Sequence, residues 1–484
     1  MLLKELLKDY KDAIIHGNNN EITIENLFID SRQTVENGLF FCLVGERANS
    51  HEFVEQAVLN GAVAVVTEKK LSIDVPQVIV SDSRAALGKL SSIFYGEPSK
   101  KMKVIGITGT NGKTTTSYML ASILKTAEKK VGIIGTLGIR CMEEKMDSML
   151  TTPDPITLQE TLSYMVDKGI EYVIMEVSAH ALYYKKVAGI QFYGCIFTNL
   201  TQDHLDFFQT MQGYKQAKMQ LFHMDVCPFA ILNGDDTVGR EIALLRQEDN
   251  VLFYGLDTPT DCFAVITHET LMGTECMFNI NDKLCRVSLS LAGTHNVYNA
   301  LAAASCAYKL GIPIEDIAKG LSSIKSVEGR LERIENSLNA EIYVDFAHTP
   351  DGLGNVLDSL RKHCKGRLIC VFGCGGNRDK EKRALMCEIA AKKSDFTILT
   401  SDNPRYEDPL DILSEIEKGY RRFSVRYVVV PDRKKGLEYA LDCLHKGDVL
   451  LIAGKGAEEY QEIMGIKYPF KDQDIIEKLL KKNG

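Results

Sequence analysis

The chain of 484 residues has no run approaching ~20 uninterrupted apolar positions, so no membrane-spanning helix is expected. It has no excess of basic charge. The formal net charge is -8, which argues against a nucleic-acid or anionic-membrane surface as the main partner but leaves room for a local basic pocket. Its 13 cysteines are scattered and include no C-x-x-C pair, so neither a disulfide framework nor a zinc site is indicated. Reduced, buried thiols of a cytoplasmic protein are the expectation. The N-terminus, MLLKELLKDYKDAII, carries acids and lacks both a long apolar core and a small-residue cleavage site, so no secretory signal is expected. Low-complexity tracts are missing as well.

What is present is a globular composition, 45% hydrophobic and 25% charged, in a chain too long for one ordinary core. Residues 1–100 mix short strands (LFFCLV, AVAVVTE, PQVIVSD) with helical patches and end in a Gly-Glu-Pro-Ser turn. A second block, 101–328, opens on the strand KVIGITGT and alternates strands with helices, then becomes strand-rich near 250–292. The third, 329–484, repeats the alternation through AEIYVDFAH, RLICVFG, FTILTSD, RYVVV and DVLLIAG. It has no G-x-G-x-x-G at its first strand–helix turn, so a nicotinamide cofactor is not expected. The fold class is therefore α/β in three domains: an N-terminal α/β domain, a central parallel sheet carrying a phosphate loop, and a C-terminal dinucleotide-fold-like domain.

The run GITGTNGKTTT, residues 106–116, sits between a strand and a helix, where backbone N–H groups and a helix N-terminus can cradle phosphates. Gly109, Thr110, Asn111, Gly112, Lys113, Thr114 and Thr115 form the cradle. Lys113 would reach the β/γ-phosphates, and Thr114 or Thr115 would ligate Mg²⁺. Thr108 occupies the place of the usual first glycine, so this is a variant phosphate loop, and kinases, motor ATPases, GTPases and ligases all share loops of this kind. No NKxD triplet stands out for guanine. Further on, Glu176, Ser178 and His180 follow the strand EYVIM, and Asp203, His204 and Asp206 follow YGCIF. The C-terminal edge of parallel strands is where such sheets bind ligands, so a carboxylate and an imidazole there could hold a second Mg²⁺. Lys218 lies on a helix in GYKQAKMQLF, where a lysine is normally a solvated charge.

GTNGKTTT, TTPDP, MEVSAHAL, TNLTQDHLD, YKQAK, LAGTHNVYNALAA, EGRLE, VDFAHTPDGL, VFGCGGNRDKEKR, TSDNPRYEDP and AGKGAEEYQ occur in one order. Together they resemble the Mur ligases of peptidoglycan synthesis over nearly the whole chain. The resemblance implies an ATP-dependent amide ligase, expected as a monomer with small-molecule substrates. It would phosphorylate the D-glutamate carboxylate of UDP-N-acetylmuramoyl-L-alanyl-D-glutamate, and an incoming amine would displace the phosphate. It assigns Lys113 to the ATP phosphates, Glu176 and His204 to Mg²⁺, and a carbamylated Lys218 to a second Mg²⁺. Asn296, Asn299, Arg330 and Asp345 match nucleotide-contacting positions, and the role of His348 stays open. The muramoyl nucleotide would meet Ile29, Ser31, Glu46, Arg47 and Ala48, then Thr151, Thr152 and Ser178. Tyr184 and Lys186 stand where the family often has Gln and Arg.

The resemblance also implies the amino acid. DNPR marks family members that add meso-diaminopimelate, and Arg405 can take its distal carboxylate in a bidentate pair. Facing lysine, the same guanidinium would be repelled. Arg378, Asp402, Asn403, Pro404, Gly454 and Glu458 complete that pocket by resemblance. An L-lysine-adding ligase and a folylpolyglutamate synthetase are the alternatives.

Overall fold

A computed structural model describes residues 1–17, 21–45, 49–148, 150–247, 250–423 and 426–483. Its strands gather into three large sheets and one two-stranded hairpin, with helices between many of the parallel strands. The α/β expectation therefore holds. By contact the chain divides into two compact units. The first comprises Met1–Gly106, Lys130–Cys195 and Gln220–Phe229; the second comprises Ile107–Lys129, Ile196–Met219 and Ala230–Gly484. The strands Lys103–Thr108 and Phe192–Phe197 each begin in the first unit and end in the second.

In the first unit the N-terminal sheet runs Ala13–His16, Gln77–Val80, Ala62–Thr67, Gly38–Phe41, Asn26–Phe28. Its first pair is antiparallel and the rest are parallel. Alternate residues of these strands (Leu39, Phe41, Ala64, Val66, Val78) pack with Leu3, Leu6 and the helix Ser83–Phe94 on one face. Phe28, Phe40 and Val65 fill the other. Both faces are covered, which is why these strands read as continuous apolar runs. Farther along the chain, Tyr172–Glu176 pairs in parallel with Val131–Gly135, and the antiparallel strands Gly138–Cys141 and Glu144–Met146 extend that edge.

The second unit holds the phosphate loop and the C-terminal sheet. That sheet runs Glu332–Ile334, Glu341–Asp345, Val449–Ala453, Leu368–Phe372, Phe396–Leu399, Arg426–Val429, parallel after its first antiparallel pair. Its strands are buried on both faces, under Pro350–Arg361 and Glu381–Lys393 on one side and Arg433–Asp442 and Asp472–Asn483 on the other. Ala230–Asn233 and Val251–Gly255 pair in parallel, and the strand-rich stretch Cys262–Leu289 is an antiparallel meander. Among the described residues no helix is long and apolar enough to cross a membrane.

Candidate active site

The loop after Lys103–Thr108 is shaped by two glycines. Gly112 caps the helix Lys113–Thr126 at φ +86°, and a Cβ there would lie 2.3 Å from Asn299 Oδ1. At Gly109 (φ +151°) a Cβ would fall 1.8 Å from Thr198 Oγ1. Any side chain at either point would clash, so the bare backbone lines the approach to the helix N-terminus. Asn199 Oδ1 accepts from the Asn111 N–H at 2.9 Å, and Thr198 Oγ1 donates to the Asn111 carbonyl at 2.6 Å. Thr108, at the variant position, is a fully buried strand residue whose carbonyl accepts from the Thr198 N–H.

Two lysines meet at this loop. Lys113 Nζ donates to the carbonyls of Gly109 and Thr110, each at 2.9 Å. Lys218 Nζ donates to the same Gly109 carbonyl at 2.7 Å and lies 4.5 Å from the centre of the Tyr214 ring. Lys218 is 1% exposed, near the end of the helix Met211–Met219. Burial, reinforced by the Lys113 charge and opposed by Asp203, pushes its ammonium well below the usual lysine range.

Asp203 and His204 lie beside groups that the chain supplies much later. Asp203 Oδ1 accepts from Lys382 Nζ at 3.1 Å, and Oδ2 lies 3.3 Å from His204 Nε2 and 3.6 Å from His348 Nε2. Burial alone would raise this carboxyl. The close approach of His348, together with Lys382 and His204, overcomes that and holds it well below the carboxylate range. His204 itself has a left-handed backbone, φ +56°. Arg330 donates to Thr114 Oγ1 at 3.0 Å and stacks over Phe346 at 4.3 Å. Asp345 accepts from the Leu331 and Ala347 N–H groups, and its burial raises the carboxyl despite Arg330. Asn299 donates to Asn296 Oδ1 and accepts from Thr116. Asn111 Nδ2 reaches Asp351 at 2.9 Å.

The C-terminal segment Asp402–Arg405 forms a separate charged cluster. Asn403 donates to Glu458 at 2.8 Å and accepts from Lys455 Nζ at 3.1 Å. Lys455 is fully buried and also donates to Glu458. Burial would raise the Asp402 carboxyl, but Lys455 and Arg433 bring it below its ordinary value. Pro404 is buried, and Gly454 (φ +110°) donates its N–H to the Asp345 carbonyl. Arg405 donates through Nη1 to the Gly376 carbonyl and through Nε to Glu462. Arg378 donates to the Asn377 carbonyl at 3.4 Å. Burial, then the Arg405 charge, lowers its pKa. The two guanidinium side chains flank Gly375, where a Cβ would lie 2.8 Å from Arg405 Nη1 and 3.7 Å from Arg378 Cγ.

In the first unit, Glu176 accepts from the Thr136 N–H and hydroxyl, at 3.1 and 3.0 Å. Thr151 bonds to the same Thr136 hydroxyl. Thr152 joins the Glu176 carbonyl to the Ser178 N–H. Lys186 Nζ lies 3.3 Å from the Thr152 carbonyl and is pushed down by burial. Tyr184 lies under the Arg84 guanidinium, 4.5 Å away. Ile29 packs on the N-terminal core, and the Ser31 carbonyl accepts from Asn60. Glu46, Arg47 and Ala48 lie outside the described residues.

Among the described residues no three His, Cys, Asp or Glu side chains gather into a metal cage. Mg²⁺ takes most of its ligands from phosphates and water and needs few protein oxygens. Within the second unit Thr114 offers such an oxygen, and His204 a nitrogen that Mg²⁺ favours less; within the first, Glu176 offers a carboxylate.

Sequence reasoning did not single out Lys382, Lys455, Glu462 or Arg84. Lys382 and Lys455 lay inside quoted motifs, and burial is what distinguishes them from solvated lysines.

Two family models match the chain: the Mur ligase middle domain over residues 107–307, and the Mur ligase glutamate ligase domain over 329–456. A UDP-N-acetylmuramoyl-L-alanyl-D-glutamate--2,6-diaminopimelate ligase of Caldanaerobacter subterraneus subsp. tengcongensis is 41% identical, over 99% of both chains. A protein of Clostridium acetobutylicum with the same name, numbered 1, is 42% identical, again over 99% of both. A solved structure of a UDP-N-acetylmuramoyl-L-alanyl-D-glutamate--2,6-diaminopimelate ligase superposes with a TM-score of 0.72 at 28% identity, covering 100% of this chain and 99% of that one.

Proposed function

The chain belongs to the Mur ligase family, and on that premise we propose that it joins meso-2,6-diaminopimelate to the D-glutamate of UDP-N-acetylmuramoyl-L-alanyl-D-glutamate at the expense of ATP, in peptidoglycan precursor synthesis. Three domains, bounded near residues 100 and 328, would carry the muramoyl nucleotide, ATP and the amino acid in turn. The enzyme would work in the cytoplasm as a monomer.

A carboxylate is a poor electrophile, and phosphorylation cures this. A D-glutamate oxygen attacks the γ-phosphorus and ADP departs. The amine of diaminopimelate then adds to the acyl carbon, and the tetrahedral adduct collapses with loss of phosphate. The chain's own part is to bind and neutralise. The bare loop Gly109–Gly112 and Lys113 receive the phosphates, with Thr115 behind them. Arg330, Asp345, Asn296 and Asn299 position the nucleotide. Bound Mg²⁺, on Thr114, Glu176, His204 and a carbamylated Lys218, would supply charge neutralisation at the transferring oxygens. Thr151, Thr152, Ser178, Tyr184 and Lys186, with Ile29 and Ser31, are assigned to the muramoyl nucleotide, and Glu46, Arg47 and Ala48 by resemblance alone.

One observation carries the choice of amino acid: the Arg405 guanidinium, held through Nη1 by the Gly376 carbonyl and through Nε by Glu462, in the segment where Asn403 meets Glu458. Diaminopimelate brings a distal carboxylate that pairs with Arg405. Lysine brings none and leaves the guanidinium without that second carboxylate. Product formation measured by mass with each amino acid tests this. Arg405→Ala is expected to cut the preference for diaminopimelate over lysine by 100-fold or more, on the order of 3 kcal/mol. An unchanged preference would sink the assignment.

A further inference from the structure

The hairpin of Tyr460–Ile463 and Ile466–Pro469 follows the last glycine loop and belongs to none of the large sheets. It runs beside the whole segment Asp402–Arg405. Gln461 Nε2 donates to the Asp402 carbonyl at 2.7 Å, and the Glu462 N–H donates to Asn403 Oδ1 at 2.9 Å. At Arg405 the match is tightest. Its N–H donates to the Glu462 carbonyl at 3.0 Å, and its carbonyl accepts from the Met464 N–H at 2.7 Å. Arg405 is thereby held at φ +53°, a left-handed conformation that a non-glycine residue adopts only when its surroundings impose it. The hairpin thus sets the backbone from which this side chain departs.

Glu462 also fixes the guanidinium. Its Oε2 accepts from Arg405 Nε at 3.1 Å, while Gly376 takes Nη1 at 2.9 Å. The two side chains are 22% and 18% exposed, so water competes only partly for this pair. With Nε and Nη1 engaged from two sides, the guanidinium plane has one orientation. Among the described residues Nη2 donates to no protein acceptor, so that nitrogen remains for a ligand.

We propose that Glu462 is a positioning residue for amino-acid selection: through the hairpin and the Nε contact it aims the Arg405 guanidinium at the distal carboxylate of the incoming diamino acid. This rests on the reading of Arg405 given above. Glu462 acts as a fixed acceptor for Nε, not as a second charge in the pocket. Losing the acceptor lets the guanidinium rotate, and the substrate must then bear the cost of ordering it.

Three variants separate acceptor from charge. Glu462→Ala removes both. Glu462→Asp keeps the charge but withdraws the acceptor by one methylene. Glu462→Gln keeps an acceptor oxygen in place without the charge. Steady-state kinetics with diaminopimelate varied should show Ala and Asp raising its KM about tenfold, the scale of one lost charge-assisted hydrogen bond. Their kcat and their KM for ATP should stay within about twofold of the parent, and Gln should restore most of the affinity. An unchanged or lowered KM in Ala and Asp overturns the proposal, as does Gln behaving like Ala. Arg405→Ala in the same assay tells the two readings apart. If it leaves the KM for diaminopimelate unmoved, the Arg405 assignment itself fails. If it raises that KM while Glu462→Ala and Glu462→Asp do not, only the role of Glu462 fails.

Discussion

Lys218 and Arg433 are both cations lost to solvent, each 1% exposed, and they are treated in opposite ways. Arg433 meets Asp472 through Nε at 2.8 Å and Nη2 at 2.7 Å, and donates again to the Ala453 and Ser401 carbonyls. Burial would lower its pKa, but Asp472 more than offsets it and the guanidinium is held charged. Lys218 has one carbonyl, one aromatic face and a second lysine close by. Burial wins there, and the amine is driven toward its neutral form. A paired buried charge is scaffolding: it ties the helix Asp472–Asn483 to the sheet. An amine stripped of its proton is a nucleophile. Its nitrogen can add to the carbon of CO₂ and release a proton, which gives a carbamate anion where a cation would have stood. This is the physical ground for the carbamylation proposed at Lys218.

The largest effect should come from breaking the paired cation. Asp472→Ala leaves Arg433 buried without its carboxylate. Equilibrium unfolding in urea is expected to report a loss of about 3–5 kcal/mol. If the loss is below ~1 kcal/mol, the pair is not scaffolding and the contrast with Lys218 collapses.

The next largest effect is on turnover. Lys218→Met keeps the length and removes the amine. Ligase activity should fall by a factor of 100 or more, on the order of 3 kcal/mol at the transition state. Stability should hold or rise, because a group whose ionisation burial opposes has been replaced by an apolar one. The sign can be followed with pH. The folded pKa of Lys218 lies below its unfolded value, so the unfolded chain binds more protons between the two. In CO₂-free buffer, stability of the parent should therefore rise with pH across that window, up to the ordinary lysine range near 10.5. Lys218→Met should lose that part of the slope. Labelled bicarbonate should give the parent, and not the variant, a carbamate carbon signal by NMR.

Local sequence pattern carries some of this arrangement and not the rest. Lys113, Lys218 and Arg405 stand in short runs that match family motifs, and it is the resemblance, not the local pattern, that proposes their roles. The α/β alternation was legible because strands covered on both faces are written as apolar runs. Pairings between distant segments were not. Asp203 meets Lys382 across 179 positions, and Arg405 meets Glu462 across 57. Nothing in either local pattern marks the partner, since a lysine in DKEKR and a glutamate in EEYQE look like solvated charges. Burial identifies them, and burial is a property of the fold. Tyr184 read as a departure, yet its ring carries the Arg84 guanidinium, a contact no spacing rule would suggest.

The smallest effect tests a pair intermediate between these two extremes. Arg383 is fully buried, but its partners Glu407 and Glu415 are partly exposed. Glu407 accepts from both terminal nitrogens of Arg383 and also from the Asn377 N–H, beside Arg378. The Arg383 hydrogen bonds lower the Glu407 carboxyl from 4.5 to about 2. A depressed carboxyl contributes stability that is fully present above its unfolded value and is lost as pH falls through the folded one. Urea titrations between pH 5 and about 2 should therefore show a falling stability in the parent. Glu407→Gln should be flatter over that range, with the two curves converging near its acid end. At neutral pH the variant should lose less than Asp472→Ala does, because solvent already reaches the acid side of the pair and Glu415 still accepts from Arg383 Nη1 at 2.7 Å. Equal losses would mean that exposure of the acid does not grade these pairs. Burial of the cation alone would then govern, and Lys218 would differ from Arg433 only in lacking a carboxylate.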